Sequence, residues 1–98
     1  MRIKKFSLGG HDFKVVYVKS LFGEQGELFG RANAKTNLVE IATHMQGERL
    51  AEDVIQHTLC HELSHLFMIL MYEQELNANE QFIDQLGLLL HQFMKTRK

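Results

Sequence analysis

HTLCHELSHLFM, residues 57–68, places a histidine at every fourth position and a glutamate directly after the second histidine. On a helix, side chains four residues apart lie on one face, about 5–6 Å apart at Cβ. His61 and His65 can therefore converge on one metal ion, at ~2.0–2.1 Å from each imidazole nitrogen if the ion is zinc. Glu62 lies about 100° further round the helix, beside the metal, where it can act as a general base. His57 continues the stripe, either as a hydrogen-bonded neighbour or as a fourth ligand.

The HExxH pattern supplies two ligands, so a third must come from an element packed beside this helix. The acidic residues of the next helical segment are Glu80 and Asp84, which are four apart and share one face. Glu80 borders an apolar stripe and can point across the helix pair, while Asp84 can hydrogen-bond the far nitrogen of a histidine ligand. Glu73 and Glu75 are the other acidic candidates, but they fall in a predicted turn, where we expect them to be solvated.

Two helices are predicted in the second half of the chain. Residues 48–73 contain no Gly or Pro, and their later part is apolar almost all round, which is typical of a helix buried on every side. The chain turns near residues 74–77, with Asn77 or Asn79 as a candidate N-cap, and a second helix covers residues 78–95. The apolar stripe of this helix has the helical period and consists of Phe82, Ile83, Leu86, Leu89, Leu90 and Phe93.

The pattern of apolar and turn residues in the first 43 positions predicts strands. Gly9-Gly10 marks a hairpin turn between the apolar alternation of residues 3–8 and the β-branched and aromatic residues 13–18. Two more extended pieces flank a polar turn at residues 35–37. We therefore expect an α+β fold, in which a small, mostly antiparallel sheet of three or four strands packs on the helix pair that carries the motif.

Composition narrows the class of protein. The 98 residues are 45% hydrophobic and 23% charged, which is typical of a globular chain, and we expect one domain over residues 1–98. The net charge of -1 gives no field that favours nucleic acid or an anionic membrane. The longest apolar run, residues 66–72, is too short to span a bilayer, and the single cysteine, Cys60, leaves no internal disulfide. We expect a cytoplasmic protein with no nucleic-acid or membrane partner, and a packed core thiol at Cys60.

The sequence HELSH, followed after residues 66–79 by the ExxxD pattern of Glu80 and Asp84, resembles the gluzincin zinc metallopeptidases. Over about residues 28–93 it is also similar to the phage and mobile-element metallopeptidases of the ImmA/IrrE type. The resemblance implies Zn²⁺ held by His61, His65 and Glu80, with Glu62 as general base. It also implies that Asp84 supports a histidine ligand, and that the helix pair is of the zincin type.

The resemblance also implies a function. A zinc-dependent endopeptidase would hydrolyse peptide bonds of a protein or peptide substrate through a zinc-bound water that Glu62 activates. The substrate would pair with a sheet edge, at residues 29–34 or 38–43. Tyr17, Tyr72 and His91 are the candidates for a residue that assists the zinc ion. The alternative is a zinc-stabilised, non-catalytic protein-interaction module, in which His57 or a partner residue closes the site as fourth ligand.

Overall fold

The long helix α1 lies between a small sheet and a second long helix. The structure, a computed structural model, describes residues 2–98. Its helices are α1 (Glu52–Leu70), α2 (Gln74–Ala78) and α3 (Glu80–Thr96). Its strands are β1 (Lys5–Leu8), β2 (His11–Val18), β3 (Phe22–Gly23), β4 (Gly26–Glu27), β5 (Gly30–Asn33), β6 (Leu38–Ala42), β7 (His44–Met45) and β8 (Glu48–Arg49). The predicted α+β class is confirmed.

The main sheet has the strand order β1-β2-β6-β5. β1 and β2 form the predicted hairpin, in which Gly9 and Gly10 take φ values of 57° and 81° in the turn. β5 and β6 are also antiparallel, on either side of the polar turn at residues 35–37. The central pair, β2 and β6, is parallel, which the sequence did not predict. Two of the three pairings are antiparallel, as expected.

This strand order shows which of the two segments predicted to bind substrate lies at an edge of the sheet. β6 pairs with β2 on one side and with β5 on the other, so the backbone of residues 38–43 is largely occupied by ladder hydrogen bonds. The prediction of an edge at residues 38–43 is therefore wrong. β5, within residues 29–34, is an outer strand of the sheet and follows the small β3–β4 hairpin.

The core lies between the sheet and α1. Alternate residues of the inner strands point toward the helix, because successive strand side chains point to opposite faces. On α1 the buried residues come from several sides, since the sheet covers one side and α3 the other. The buried cluster consists of Phe13, Val15, Val39, Ile41, Ile55, Leu59 and Leu66.

Both long helices differ in detail from the prediction. α1 begins at Glu52 and not near residue 48, because Glu48–Arg49 pairs with β7 as β8. α3 begins at Glu80, two residues after the predicted start, and its N-cap is Asn79, one of the two candidates, whose side chain accepts a hydrogen bond from the Phe82 backbone amide. Only Ile83 and Gly87 of α3 are buried, and part of the predicted apolar stripe faces solvent. No helix formed by residues 2–98 is long and apolar enough to cross a membrane.

Candidate metal centre

Three side chains from α1 and α3 meet at one point. His61 and His65 lie one turn apart on α1, and Glu80 is the first residue of α3. Their nearest ligand atoms all lie within 4.8 Å of one another, and this group could hold a metal ion. Glu80 offers one carboxylate oxygen to each ring, at 3.5 Å from Nε2 of His61 and 3.5 Å from Nε2 of His65.

The two separations of 3.5 Å between Glu80 and the imidazoles fit the geometry of a tetrahedral ion, whereas the limit of 4.8 Å on the whole group is wider. Bonds of ~2.0–2.2 Å from zinc to nitrogen and oxygen place two ligands roughly 3.3–3.5 Å apart at the tetrahedral angle. The two imidazole rings are 5.1 Å apart at their centroids and inclined by 69°. Binding of one tetrahedral ion would require the three ligand atoms to move from within 4.8 Å to these shorter separations.

The orientation of each histidine is fixed by a second hydrogen bond at Nδ1. Nδ1 of His61 donates to a carboxylate oxygen of Asp84 at 3.3 Å, as the sequence predicted for that residue. Nδ1 of His65 donates to the amide oxygen of Asn77 at 2.7 Å. Both acceptors are oxygens without a proton to give, so each Nδ1 carries a proton, and in the neutral imidazole the lone pair is then on Nε2. That tautomer leaves Nε2 of each ring available to a metal.

Asn77 is the residue of the site that the sequence interpretation missed. It lies in α2, between the two helices of the motif, and its sequence context indicates only a candidate N-cap. The chain reaches it by a sharp reversal at the end of α1, where Tyr72 has a φ of 59° and the Glu73 amide bonds the Met68 carbonyl. The short interval between HExxH and Glu80 therefore contains an element that supports one of the ligands.

A glycine allows α3 to approach the metal-binding turn of α1. The two helices run antiparallel, because Glu80 lies near His65 while Lys95, at the other end of α3, bonds Asp53 at 2.8 Å. At the closest point, a Cβ added to Gly87 would lie 3.0 Å from Cα of His61. Any larger residue would push the two helices apart at the point where His61, His65 and Glu80 meet.

Glu62 is buried beside the three ligand side chains. It is 9% exposed, and it is one of two polar residues in the buried set. Burial raises the pKa of its carboxyl, while the imidazoles of His65 and His61 and the backbone of Ala32 in β5 act to lower that pKa. The carboxylate therefore lies between the metal-binding face of α1 and the outer strand of the sheet.

An open cleft of about 360 Å³ adjoins the group. It runs from the start of β5 across α1 to α3, so both Glu62 and His61 are reached from it. Its other walls are partly apolar and include Phe29, Gly30, Val54 and Thr58. A molecule in this cleft would lie alongside β5 and next to the metal-binding group.

His57 is not part of the metal-binding group. Its ring stacks on His91 of α3, with centroids 5.9 Å apart and planes 18° from parallel. Nε2 of His57 is buried and has no hydrogen-bond partner among residues 2–98. Nε2 of His91 lies 3.9 Å from a carboxylate oxygen of Asp53, which directs His91 away from the triad. The stacked pair therefore continues the seam between the helices one turn beyond the ligands.

The remaining candidates have other surroundings. The hydroxyl of Tyr17 donates to the Ile3 carbonyl, and Tyr72 is 89% exposed at the end of α1. Cys60 is buried, and desolvation raises the pKa of its thiol to about 11, as expected for a core thiol. Glu73 and Glu75 are exposed, as predicted. None of these residues belongs to the group that could hold a metal.

Comparison with known proteins finds no match for this chain among protein-family models, curated proteins or solved structures. The structure therefore defines the class of site by itself: an α+β chain in which two histidines and a glutamate could hold a metal ion. The cluster combines two imidazoles and one carboxylate, and a buried carboxylate and an open cleft lie next to it.

Proposed function

We propose that the chain is a zinc-dependent metallopeptidase of the gluzincin type. The observation that carries the proposal is the convergence of His61, His65 and Glu80 within 4.8 Å beside the buried Glu62. Three protein ligands leave one position of a tetrahedral ion open, which is the arrangement of catalytic zinc sites. A chance polar seam would not require side chains from two helices to meet. It would also not require an oxygen of Asp84 or Asn77 to hold each histidine at Nδ1.

The donor set favours zinc among the common divalent ions. Two imidazoles and a carboxylate suit zinc, whereas calcium and magnesium take mostly oxygen ligands. Zinc in such a site lowers the pKa of a bound water to ~7 and polarises a carbonyl group. His61, His65 and Glu80 would hold the ion, and Asp84 and Asn77 would keep the two rings in the orientation that binding needs.

Glu62 would carry the proton transfers. Its position next to the ligands lets it take a proton from the attacking water and give that proton to the leaving amine. Its burial limits competition from bulk water at the carboxylate. A peptide or protein substrate would add as a strand to β5, where main-chain hydrogen bonds hold an extended chain with weak sequence selectivity. The cleft that borders β5, Glu62 and His61 supports this placement.

The non-catalytic alternative needs a fourth ligand from the protein or from a partner. Within the chain, His57 was the candidate, and its stacking on His91 gives that alternative no support. The open cleft beside the triad favours a site that exchanges water and substrate.

The test is Glu62→Gln, assayed with zinc-loaded protein on unfolded, fluorescently labelled casein and on a mixed peptide pool. We expect the variant to keep one equivalent of zinc by elemental analysis and to lose hydrolysis by about 10²–10⁴-fold, which is the range for a general base. Glu80→Ala should lose most of its zinc, whereas His57→Ala should retain it. Hydrolysis by Glu62→Gln at the wild-type rate, or no cleavage by zinc-loaded wild type, would contradict the proposal.

A further inference from the structure

His57 lines the cleft beside the metal-binding group, one helical turn before His61. Its ring is partly exposed, and stacking on His91 supports the ring plane. Of its two nitrogens, Nε2 is buried without a hydrogen-bond partner among residues 2–98. A buried N–H without an acceptor is rare, so the neutral ring carries its proton on Nδ1. His57 therefore offers a hydrogen-bond donor at Nδ1.

β5 runs in the same direction as α1 along this part of the cleft. A Cβ added to Gly30 would lie 2.7 Å from Cγ2 of Thr58, and the Ala32 backbone approaches the Glu62 carboxylate. Two residues of the strand, ~6.7 Å, thus correspond to one turn of the helix, ~6 Å. An extended chain added beside β5 would therefore repeat its orientation once for each turn of α1.

We propose that His57 binds the substrate by donating a hydrogen bond to the main-chain carbonyl two residues from the scissile one. The inference rests on the proposed function, in which the scissile peptide lies beside His61 and Glu62. Carbonyls two residues apart in an extended chain point the same way. When the scissile carbonyl lies beside His61, the second carbonyl lies ~6.7 Å along the cleft, level with the turn of α1 that carries His57.

The wall around His57 favours a hydrogen bond to the substrate main chain. Phe29, Val54 and Thr58 form the neighbouring wall, and the Thr58 hydroxyl already donates to the Val54 carbonyl. A substrate carbonyl that moves from water to this partly apolar wall loses a hydrogen bond unless His57 supplies another. Because every residue has a main-chain carbonyl, this contact selects for an extended backbone and agrees with weak sequence selectivity.

The test uses a fluorescein-labelled peptide from the mixed pool that zinc-loaded wild type cleaves. Zinc-loaded Glu62→Gln binds this peptide without cutting it, so the Kd can be measured by fluorescence anisotropy. Each peptide bond is replaced in turn by a neutral (E)-alkene, which keeps the extended shape but has no carbonyl oxygen. We expect the alkene two residues from the scissile carbonyl, on one side, to raise the Kd by about 3–10-fold.

His57→Phe in the Glu62→Gln protein separates the hydrogen bond from packing, because phenylalanine keeps a ring beside His91 but has no donor. We expect this variant to hold one equivalent of zinc and to bind the unmodified peptide about 3–10-fold more weakly than Glu62→Gln alone. The alkene at that position should weaken its binding no further. His11→Phe is the matched control, because His11 lies in β2 outside the cleft, and its Kd should not change.

Either of two results would overturn the binding role of His57. With native His57, no alkene two residues from the scissile carbonyl raises the Kd, a result that needs no variant at position 57. Alternatively, the alkene at that position weakens binding equally with and without the His57 ring. Both results differ from a failure of the proposed function, in which zinc-loaded wild type cleaves no peptide of the pool and the inference about His57 fails with it.

Discussion

At the scale of single residues, His61 depends on α3 at three points. Its Nε2 faces Glu80, its Nδ1 donates to Asp84, and its Cα lies against Gly87. His65 depends instead on α2, through the hydrogen bond from its Nδ1 to Asn77. The orientation of each histidine is thus set by another element of the chain, so displacement of either element would affect the proposed metal binding.

Asn77→Ala tests the support of His65. Without the amide oxygen, the ring can rotate and change tautomer, and loss of such a partner typically weakens metal binding by about 10–100-fold. We expect the Kd for zinc, measured by competition with a chromophoric chelator, to rise by that factor. Asn33→Ala is the control, since the Asn33 side chain bonds only turn amides near residue 35, and its Kd should match wild type. Equal affinity of Asn77→Ala and wild type would show that the bond does not orient the ring.

The difference between the predicted and the observed site has a physical origin. The fixed geometry of a helix relates residues four apart, so HExxH in one helix and ExxxD in another pointed to His61, His65, Glu80 and Asp84. The structure brings all four together. Asn77 has no such relation, because its contact with His65 depends on the path of the chain after α1. A single amide in a turn carries no periodic signal, and its sequence context favoured an N-cap equally well.

At the scale of elements, the packing of α3 on α1 depends on Gly87. In an exposed helix, Gly→Ala is stabilising by about 1 kcal/mol. Here the added methyl group would lie 3.0 Å from Cα of His61, and an overpacked contact of this kind costs about 1–3 kcal/mol. We therefore expect Gly87→Ala to lower the free energy of unfolding by about 1 kcal/mol in urea titrations and to weaken zinc binding. Gln85→Ala, on the exposed side of the same helix, should change the free energy by less than about 0.5 kcal/mol. Stabilisation by Gly87→Ala would contradict the close approach.

The fold was predictable where the signal is local. The β1–β2 hairpin, the β5–β6 pair and both long helices follow from turn residues and from the period of apolar residues. The parallel contact of β2 with β6 depends on strands about 20 residues apart in sequence, and periodicity does not specify it. Periodicity also assigned Leu89 and Phe93 to the same core stripe as Ile83. The apolar pattern indicates which residues avoid water, but not whether the chain itself or another chain covers them.

At the scale of the whole molecule, the three layers, which are the sheet, α1 and α3, differ in how many of their residues are buried. α1 buries seven of its 19 residues against its neighbours, whereas α3 buries two of its 17. Because local stability follows buried apolar contact, α3 should open more readily than the sheet and α1. The proposed metal would join α1 to the first residue of α3, and so it would tie the less buried of the two long helices to the core.

Zinc should therefore stabilise the protein chiefly through α3. A ligand at 100 times its Kd adds about 2.7 kcal/mol to the free energy of unfolding, which for a chain of this size raises Tm by roughly 10–20 °C. We expect calorimetry to give that shift for wild type and none for Glu80→Ala. Hydrogen exchange should locate the gain, with slower exchange of α3 amides on zinc addition and smaller changes in β2 and β6. An equal Tm shift in Glu80→Ala would place zinc elsewhere, and protection spread evenly over the sheet and helices would contradict a separately opening α3.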